Sequence, residues 1–188
     1  PEEKINFGGI WHTDTTYLEE PALGASLYAI ELPALGGDTL FANMASAYLA
    51  LPDEIKQQID GLKAVNTSSK ADVSKTRAIR FSGDISTMQV ITNTHPVVRT
   101  HPETGEKILY VNEAHTLHFE GWSEEESQEL LNYLYKHSRK PEFQCRYKWT
   151  LGAVTLWDNR ATHHYPVNDY TGSRRLLHRV SIKGERPR

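Results

Sequence analysis

Arg175-Leu176-Leu177-His178-Arg179-Val180-Ser181-Ile182-Lys183 is the stretch whose reading decides the fold. It is rich in branched apolar residues and carries no proline or glycine, which marks a strand. A strand turns successive side chains to opposite faces, so Arg175, Leu177 and Arg179 share one face and Leu176, His178, Val180 and Ile182 the other. The second face is mostly apolar and is expected to meet the core. The first carries two guanidiniums whose Cα atoms lie about 13 Å apart at roughly 3.3 Å per residue, so they can serve two separate anions. The plainer alternative is that one or both pair with Asp or Glu in structural salt bridges.

Working outward, Phe143 to Thr150 and Ala153 to Trp157 also read as strands. So do Gly24 to Leu32, closed by Pro33, and Asp38 to Phe41 after the Gly36-Gly37 turn. Pro96 to Thr100 and Lys107 to Val111 flank Pro102-Glu103-Thr104-Gly105 as a hairpin. Residues 44–60 are expected to form two short helices divided by Pro52, which removes a backbone donor and clashes with the preceding turn. Ser123 and Glu126 form a capping box that opens a helix running to about His137, with Leu130, Leu131 and Leu134 on one face and Pro141 beyond its end. The polar stretch Thr67 to Thr94 has little periodicity and is expected to be a loop and candidate lid. Many short strands with a few inserted helices predict a mainly β fold, a sandwich or jelly roll.

The chain has 188 residues, with 21 Lys+Arg against 24 Asp+Glu, a net charge of −3. That length predicts one domain, 1–188. Scattered basic residues argue against a nucleic-acid surface, and no apolar run is long enough for a membrane span. A single cysteine, Cys145, rules out an intrachain disulfide and suggests the cytoplasm. The first residue is Pro1 and the first methionine Met44, so the natural N-terminal segment is expected to be missing.

Trp11-His12-Thr13-Asp14-Thr15 places an imidazole and a carboxylate on one face of an extended segment, where they can converge on one ion. With nine histidines in the chain this pattern alone is weak. It gains weight from Trp157-Asp158-Asn159-Arg160-Ala161-Thr162-His163-His164-Tyr165. Two histidines and one carboxylate on one side of an ion leave three positions open, the arrangement of non-haem Fe(II) oxygenases. The third ligand is His163 or His164, which periodicity cannot separate; the other is a hydrogen-bonded core histidine. The same three groups around Zn(II) would suit a hydrolase, and a non-catalytic jelly-roll binding module would need none of them.

The chain resembles the taurine dioxygenase family of Fe(II)- and 2-oxoglutarate-dependent oxygenases (TauD/TfdA-like), which also holds phenoxyacetate dioxygenases and alkylsulfatases. The resemblance runs from about Gly9 to Pro187. It rests on Trp11 to Asp14, Glu31-Leu32-Pro33, Gly36 to Leu40, His95 to Pro102, Lys140 to Gln144, Trp157 to Arg160, Arg174-Arg175 and His178-Arg179. It implies a double-stranded β-helix (jelly roll), with His12, Asp14 and His164 as ligands of Fe(II). It further implies that Arg175 and Thr39 bind the distal carboxylate of the co-substrate 2-oxoglutarate, and that Arg179 binds an anionic substrate.

The implied reaction uses O2 to hydroxylate a small anion, a sulfonate such as taurine with release of sulfite, or else an alkyl sulfate ester or an aryloxyalkanoate. The sequence departs from the taurine enzyme at Gly8, where an asparagine contacts substrate, and at His115, which replaces a pocket phenylalanine. His115 can equally be a polar pocket-wall residue with no part in selection. A homo-oligomer is compatible with all of this.

Overall fold

The computed structural model describes residues 9–70 and 89–188. These form eleven strands and three α-helices. Two three-stranded antiparallel sheets frame the site. In the first, β1 (Gly24–Glu31) lies between β9 (Val154–Asp158) and β11 (Leu176–Ile182); in the second, β2 (Thr39–Asn43) lies between β8 (Gln144–Tyr147) and β10 (Thr162–Pro166). Trp157 of β9 reaches across, its ring 5.6 Å from Phe41 of β2 and 4.9 Å from His164 of β10. A third sheet orders β4 (Thr92–Pro96), β3 (Lys63–Thr67) and β7 (Thr116–Phe119), and β5 (Val98–Thr100) pairs with β6 (Lys107–Leu109) as the expected hairpin.

The apolar core lies under the helices. Helix α3 (Glu124–Ser138) packs Leu130, Leu131 and Leu134 against Ile59, Leu109, Val111 and Phe119. The capping box forms as expected: Glu126 N–H donates to Ser123 Oγ at 3.1 Å, and Ser123 N–H donates to Glu126 Oε2 at 2.7 Å. Helices α1 (Met44–Leu49) and α2 (Asp53–Ile59) are the two pieces on either side of Pro52. Asn43 caps α1 by accepting from Ala45 and Ser46 N–H, and His137 Nε2 lies 2.7 Å from Ala47 O, tying α3 to α1.

Two expectations are corrected. The segment 67–94 is not loop at its ends, because Lys63–Thr67 and Thr92–Pro96 pair as antiparallel strands; of the rest of the candidate lid, 68–70 and 89–91 are in neither helix nor strand, and 71–88 lie outside the described residues. The second correction concerns the last strand. Its apolar face does not meet the core, since Val180 is 65% exposed and His178 is exposed too. Register explains this: Val180 pairs with Ser26 and His178 with Tyr28, while Leu156 and Val154 sit opposite the same two residues on β1's other edge. Tyr28, Val154, Leu156 and Val180 therefore form an outer apolar face. The inner face takes Ala25, Ala29 and Trp157 together with Arg179, because the space between the two sheets is occupied by a polar site and not by an apolar core. No helix among the described residues is long and apolar enough to cross a membrane.

Several imidazoles are buried away from water. Burial holds His163 down to about 3 and His115 down to about 4, and also lowers His95, whose Nε2 bonds to Leu18 O. These rings stay neutral in the fold, whereas in the unfolded chain they bind protons below about pH 6.5. Their contribution is complete above that pH and is lost as pH falls toward the folded-state values. The urea midpoint of the metal-free protein is therefore expected to fall steadily from pH 7 to pH 5, at up to about 1.4 kcal/mol per pH unit for each histidine. A flat profile would contradict the neutral assignment. Ser123→Ala, measured the same way at pH 7, is expected to cost about 1 kcal/mol.

Candidate active site

His12 pairs with β10 through a single bridge, donating its N–H to His164 O at 3.1 Å and accepting from His164 N–H at 2.8 Å. This backbone pairing brings two imidazoles 152 residues apart to ring centroids 4.1 Å from each other. The alternation expected after His12 holds. Thr13 turns away and donates its hydroxyl to Asn159 O at 2.7 Å, and Asp14 returns to the side of His12. Asp14 Oδ1 lies 3.9 Å from His12 Nε2 and 3.9 Å from His164 Nε2, and all three residues are buried. His163, one step along β10, is opposite Ala42 and stays outside this group.

The three donors suit a divalent transition metal. Metal–nitrogen and metal–oxygen bonds of about 2.1 Å let donors up to roughly 4.2 Å apart share one ion, and each 3.9 Å pair lies within that. His12 Nδ1 lies 2.8 Å from Ile10 O, a bond that puts the proton on Nδ1 and leaves Nε2 as a lone-pair donor. Burial lowers His12 and, more strongly, His164, so both rings are neutral. Burial pushes the Asp14 carboxyl up, while the Arg179 guanidinium, through its charge and its hydrogen bond, opposes this and helps to hold the group well below the usual carboxylate range. The set is two neutral nitrogens and one anionic oxygen.

The other oxygen of Asp14 is engaged separately. Oδ2 accepts from Asn159 Nδ2 at 3.0 Å and lies 2.6 Å from Arg179 Nη2. The Arg179 side chain remains 32% exposed. One of the two arginines thus has a carboxylate partner, as the plainer reading of the last strand allowed, but that partner is itself a candidate metal ligand. The turn carrying Asn159 is braced by Asp158 and Arg160. Arg160 Nη2 lies 2.7 Å from Asp158 Oδ2, its Nη1 2.8 Å from Glu103 Oε1, and His101 Nε2 is 3.2 Å from Asp158 Oδ2.

Arg175 is different. Its Nε and Nη2 are buried without a hydrogen-bond partner, and it has no ion pair among the described residues. Burial works against its charge, with Tyr170 and Asp38 opposing. The guanidinium lies over the faces of Trp149 and Tyr170, at 5.6 and 5.9 Å from the ring centroids. Trp149 Nε1 donates to Thr39 Oγ1 at 3.0 Å, so Thr39 and Arg175 both contact one indole. Gly37 adjoins them at φ +75°, where a Cβ would come within 3.1 Å of Arg175 Cδ. Tyr170 hydrogen-bonds the group, but two buried guanidinium nitrogens left without partners are costly, and an incoming anion would satisfy them.

His115 is 8% exposed, meets the Tyr17 ring edge-on at 5.0 Å and leaves Nδ1 without a partner. Gly8 lies outside the described residues. Asn159, Trp149 and Gly37 carry contacts at this site that sequence reasoning did not single out; the Trp157-Asp158-Asn159-Arg160 run was the only pointer to the first of them.

A profile of the family described as "Taurine catabolism dioxygenase TauD, TfdA family" matches residues 2–181. The chain is 38% identical to an alpha-ketoglutarate-dependent sulfate ester dioxygenase of Pseudomonas putida, over 94% of this chain and 60% of that one. It superimposes on a taurine dioxygenase from Burkholderia xenovorans with TM-score 0.82 at 34% identity, covering 99% of this chain and 61% of that one. It superimposes on AAD-2 in complex with Mn(II) and N-oxalylglycine with TM-score 0.84 at 30% identity, covering 96% and 70%. The chain thus spans about three-fifths of the length of the first two and adopts the jelly roll that these dioxygenases share. With that profile matched along nearly its whole length, the chain belongs to the TauD, TfdA family of taurine catabolism dioxygenases.

Proposed function

We propose that this chain forms a single catalytic domain, 1–188, that uses Fe(II), 2-oxoglutarate and O2 to hydroxylate a small anionic substrate. The observation that carries this reading is Arg175, two of whose buried guanidinium nitrogens lack a hydrogen-bond partner, in a chain that also gathers the His12, Asp14 and His164 donors. A zinc hydrolase acting through a bound water needs no second anion site; a co-substrate dicarboxylate does. Relatives named for sulfonates, sulfate esters and 2,4-dichlorophenoxyacetate support a small organic anion as substrate, and we take a sulfonate, with sulfite as the product, as the first choice and an aryloxyalkanoate as the last. An alkyl sulfate ester is the second, favoured by the 38% identity to a sulfate ester dioxygenase. The lone free Cys145 suits the cytoplasm.

His12 Nε2, Asp14 Oδ1 and His164 Nε2 would hold the iron, and the residues present fit it: one anionic oxygen and two neutral imidazoles. When bound, iron with 2-oxoglutarate supplies O2 activation and oxidative decarboxylation to succinate and CO2, coupled to insertion of oxygen into a substrate C–H. Arg175 neutralises the far carboxylate of the co-substrate, and its rigid fork over Trp149 fixes that end. Thr39, whose oxygen already accepts from Trp149, retains its own hydrogen to donate to the same carboxylate. Arg179 gives Nη2 to Asp14 and turns its remaining N–H groups to the substrate anion, which fixes the substrate beside the metal without ligating it. Hydroxylation at the carbon bearing the sulfonate gives an α-hydroxysulfonate, the bisulfite adduct of an aldehyde, which expels sulfite and leaves the aldehyde.

The test is O2-dependent succinate formation from 2-oxoglutarate by the purified protein with Fe(II), across small sulfonates, alkyl sulfates and aryloxy acids. Sulfite release is expected with sulfonates. Sulfate released without O2 or 2-oxoglutarate would establish the hydrolase instead. His12→Ala and His164→Ala are expected to lose both metal binding and turnover. Arg175→Ala is expected to keep the metal and raise KM for 2-oxoglutarate at least tenfold, the loss of about 1.4 kcal/mol or more that a charge-assisted bidentate contact implies.

A further inference from the structure

A carboxylate can give a metal one oxygen or two, and the difference matters at a site with three protein ligands. With Asp14 bound through one oxygen, an octahedral ion keeps three positions, enough for a two-toothed co-substrate and O2. With Asp14 bound through both, only two remain. We infer that Asn159, oriented by Trp157, is a positioning residue that keeps Asp14 a one-oxygen ligand by holding Oδ2 away from the metal; the inference rests on the metal reading above.

The geometry is specific to Asn159. Asn159 is 2% exposed and held at four points, two on its backbone and two on its side-chain amide. The backbone N–H donates to Leu23 O at 2.8 Å and the backbone oxygen accepts from Thr13 Oγ1 at 2.7 Å. Its side-chain Oδ1 accepts from Trp157 Nε1 at 2.9 Å, and its Nδ2 donates to Asp14 Oδ2 at 3.0 Å. The indole N–H is a donor only, so Oδ1 must face it and the NH2 group must face Asp14. The amide cannot turn over without opposing donor to donor at one end and acceptor to acceptor at the other.

Trp157 is itself fixed by packing against Phe41 and His164, so one side chain positions two ligands: His164 by ring contact and Asp14 through the amide. Arg179 also holds Oδ2, but its side chain is one-third exposed and it faces the substrate. The permanent restraint is therefore the neutral amide, and the guanidinium is the partner that a substrate anion can share.

The experiment compares wild type, Asn159→Ala and Trp157→Phe with Mn(II) and Co(II) as probes. Mn(II) affinity is read by electron paramagnetic resonance of the free ion, and coordination number by the intensity of the Co(II) visible bands before and after anaerobic addition of 2-oxoglutarate. Asn159→Ala is expected to lose tenfold to a hundredfold in Mn(II) affinity and to give a different Co(II) spectrum on adding 2-oxoglutarate. Trp157→Phe keeps the ring but loses the N–H, and is expected to move both readouts in the same direction by less. If Asn159→Ala does not fold, Trp157→Phe decides alone.

A purely structural role would lower the melting temperature while leaving the Co(II) spectrum of the folded protein as in wild type, and that result would overturn the inference. Wild-type protein that binds neither ion would instead remove the metal reading on which it rests.

Discussion

Asp14 is a buried carboxylate divided between two tasks, and the surrounding structure follows from the need to satisfy both of its oxygens. One oxygen looks toward two imidazoles that are neutral because they are buried. The other is taken by an amide and a guanidinium. An isolated ionised carboxylate in so dry a place would be prohibitively costly. Asn159 follows β9 and Arg179 lies in β11, so the partners of Oδ2 come from the first sheet, while β10 of the second brings His164 to the other oxygen.

The same requirement accounts for the distribution of apolar residues. The enclosed space between the two sheets holds polar groups, so the apolar core is displaced beneath α3, α1 and α2, and Tyr28, Val154, Leu156 and Val180 point outward. Two arginines four residues apart, Arg175 just before β11 and Arg179 within it, illustrate the division of labour. Arg179 is partnered by Asp14 and remains open to solvent, whereas Arg175 lies under aromatic rings with two nitrogens unsatisfied. In the proposed reading the first shares its charge with the substrate anion and the second takes the far carboxylate of the co-substrate.

Local chemistry was legible wherever it is decided locally. The Ser123 and Glu126 box placed the helix start correctly, and the expected end near His137 is one residue short of Ser138. Pro52 separated two helices, and the period-two spacing of His12 and Asp14 put both on one side. What escaped depends on partners far away in sequence. Lys63–Thr67 and Thr116–Phe119 are strands because they pair with each other, and the first also because it pairs with β4; neither has a strong pattern of its own. The outward turn of Val180 required knowing that the other face of β11 looks onto a polar site. Asn159 and Trp149 act across separations of 145 and 110 residues, which no short motif reports. Between His163 and His164 the residues alone did not choose; resemblance favoured His164, and it is His164 that lies with His12 and Asp14.

The central claim is that these three side chains converge on one ion while Arg175 awaits a dicarboxylate. The most direct measurement is a crystal structure grown with Mn(II) and N-oxalylglycine, an unreactive analogue of 2-oxoglutarate. The account predicts one ion on His12 Nε2, Asp14 Oδ1 and His164 Nε2, with the far carboxylate of the analogue on Nε and Nη2 of Arg175. An ion held elsewhere, or an Arg175 still without an anion in the presence of the bound analogue, would contradict it.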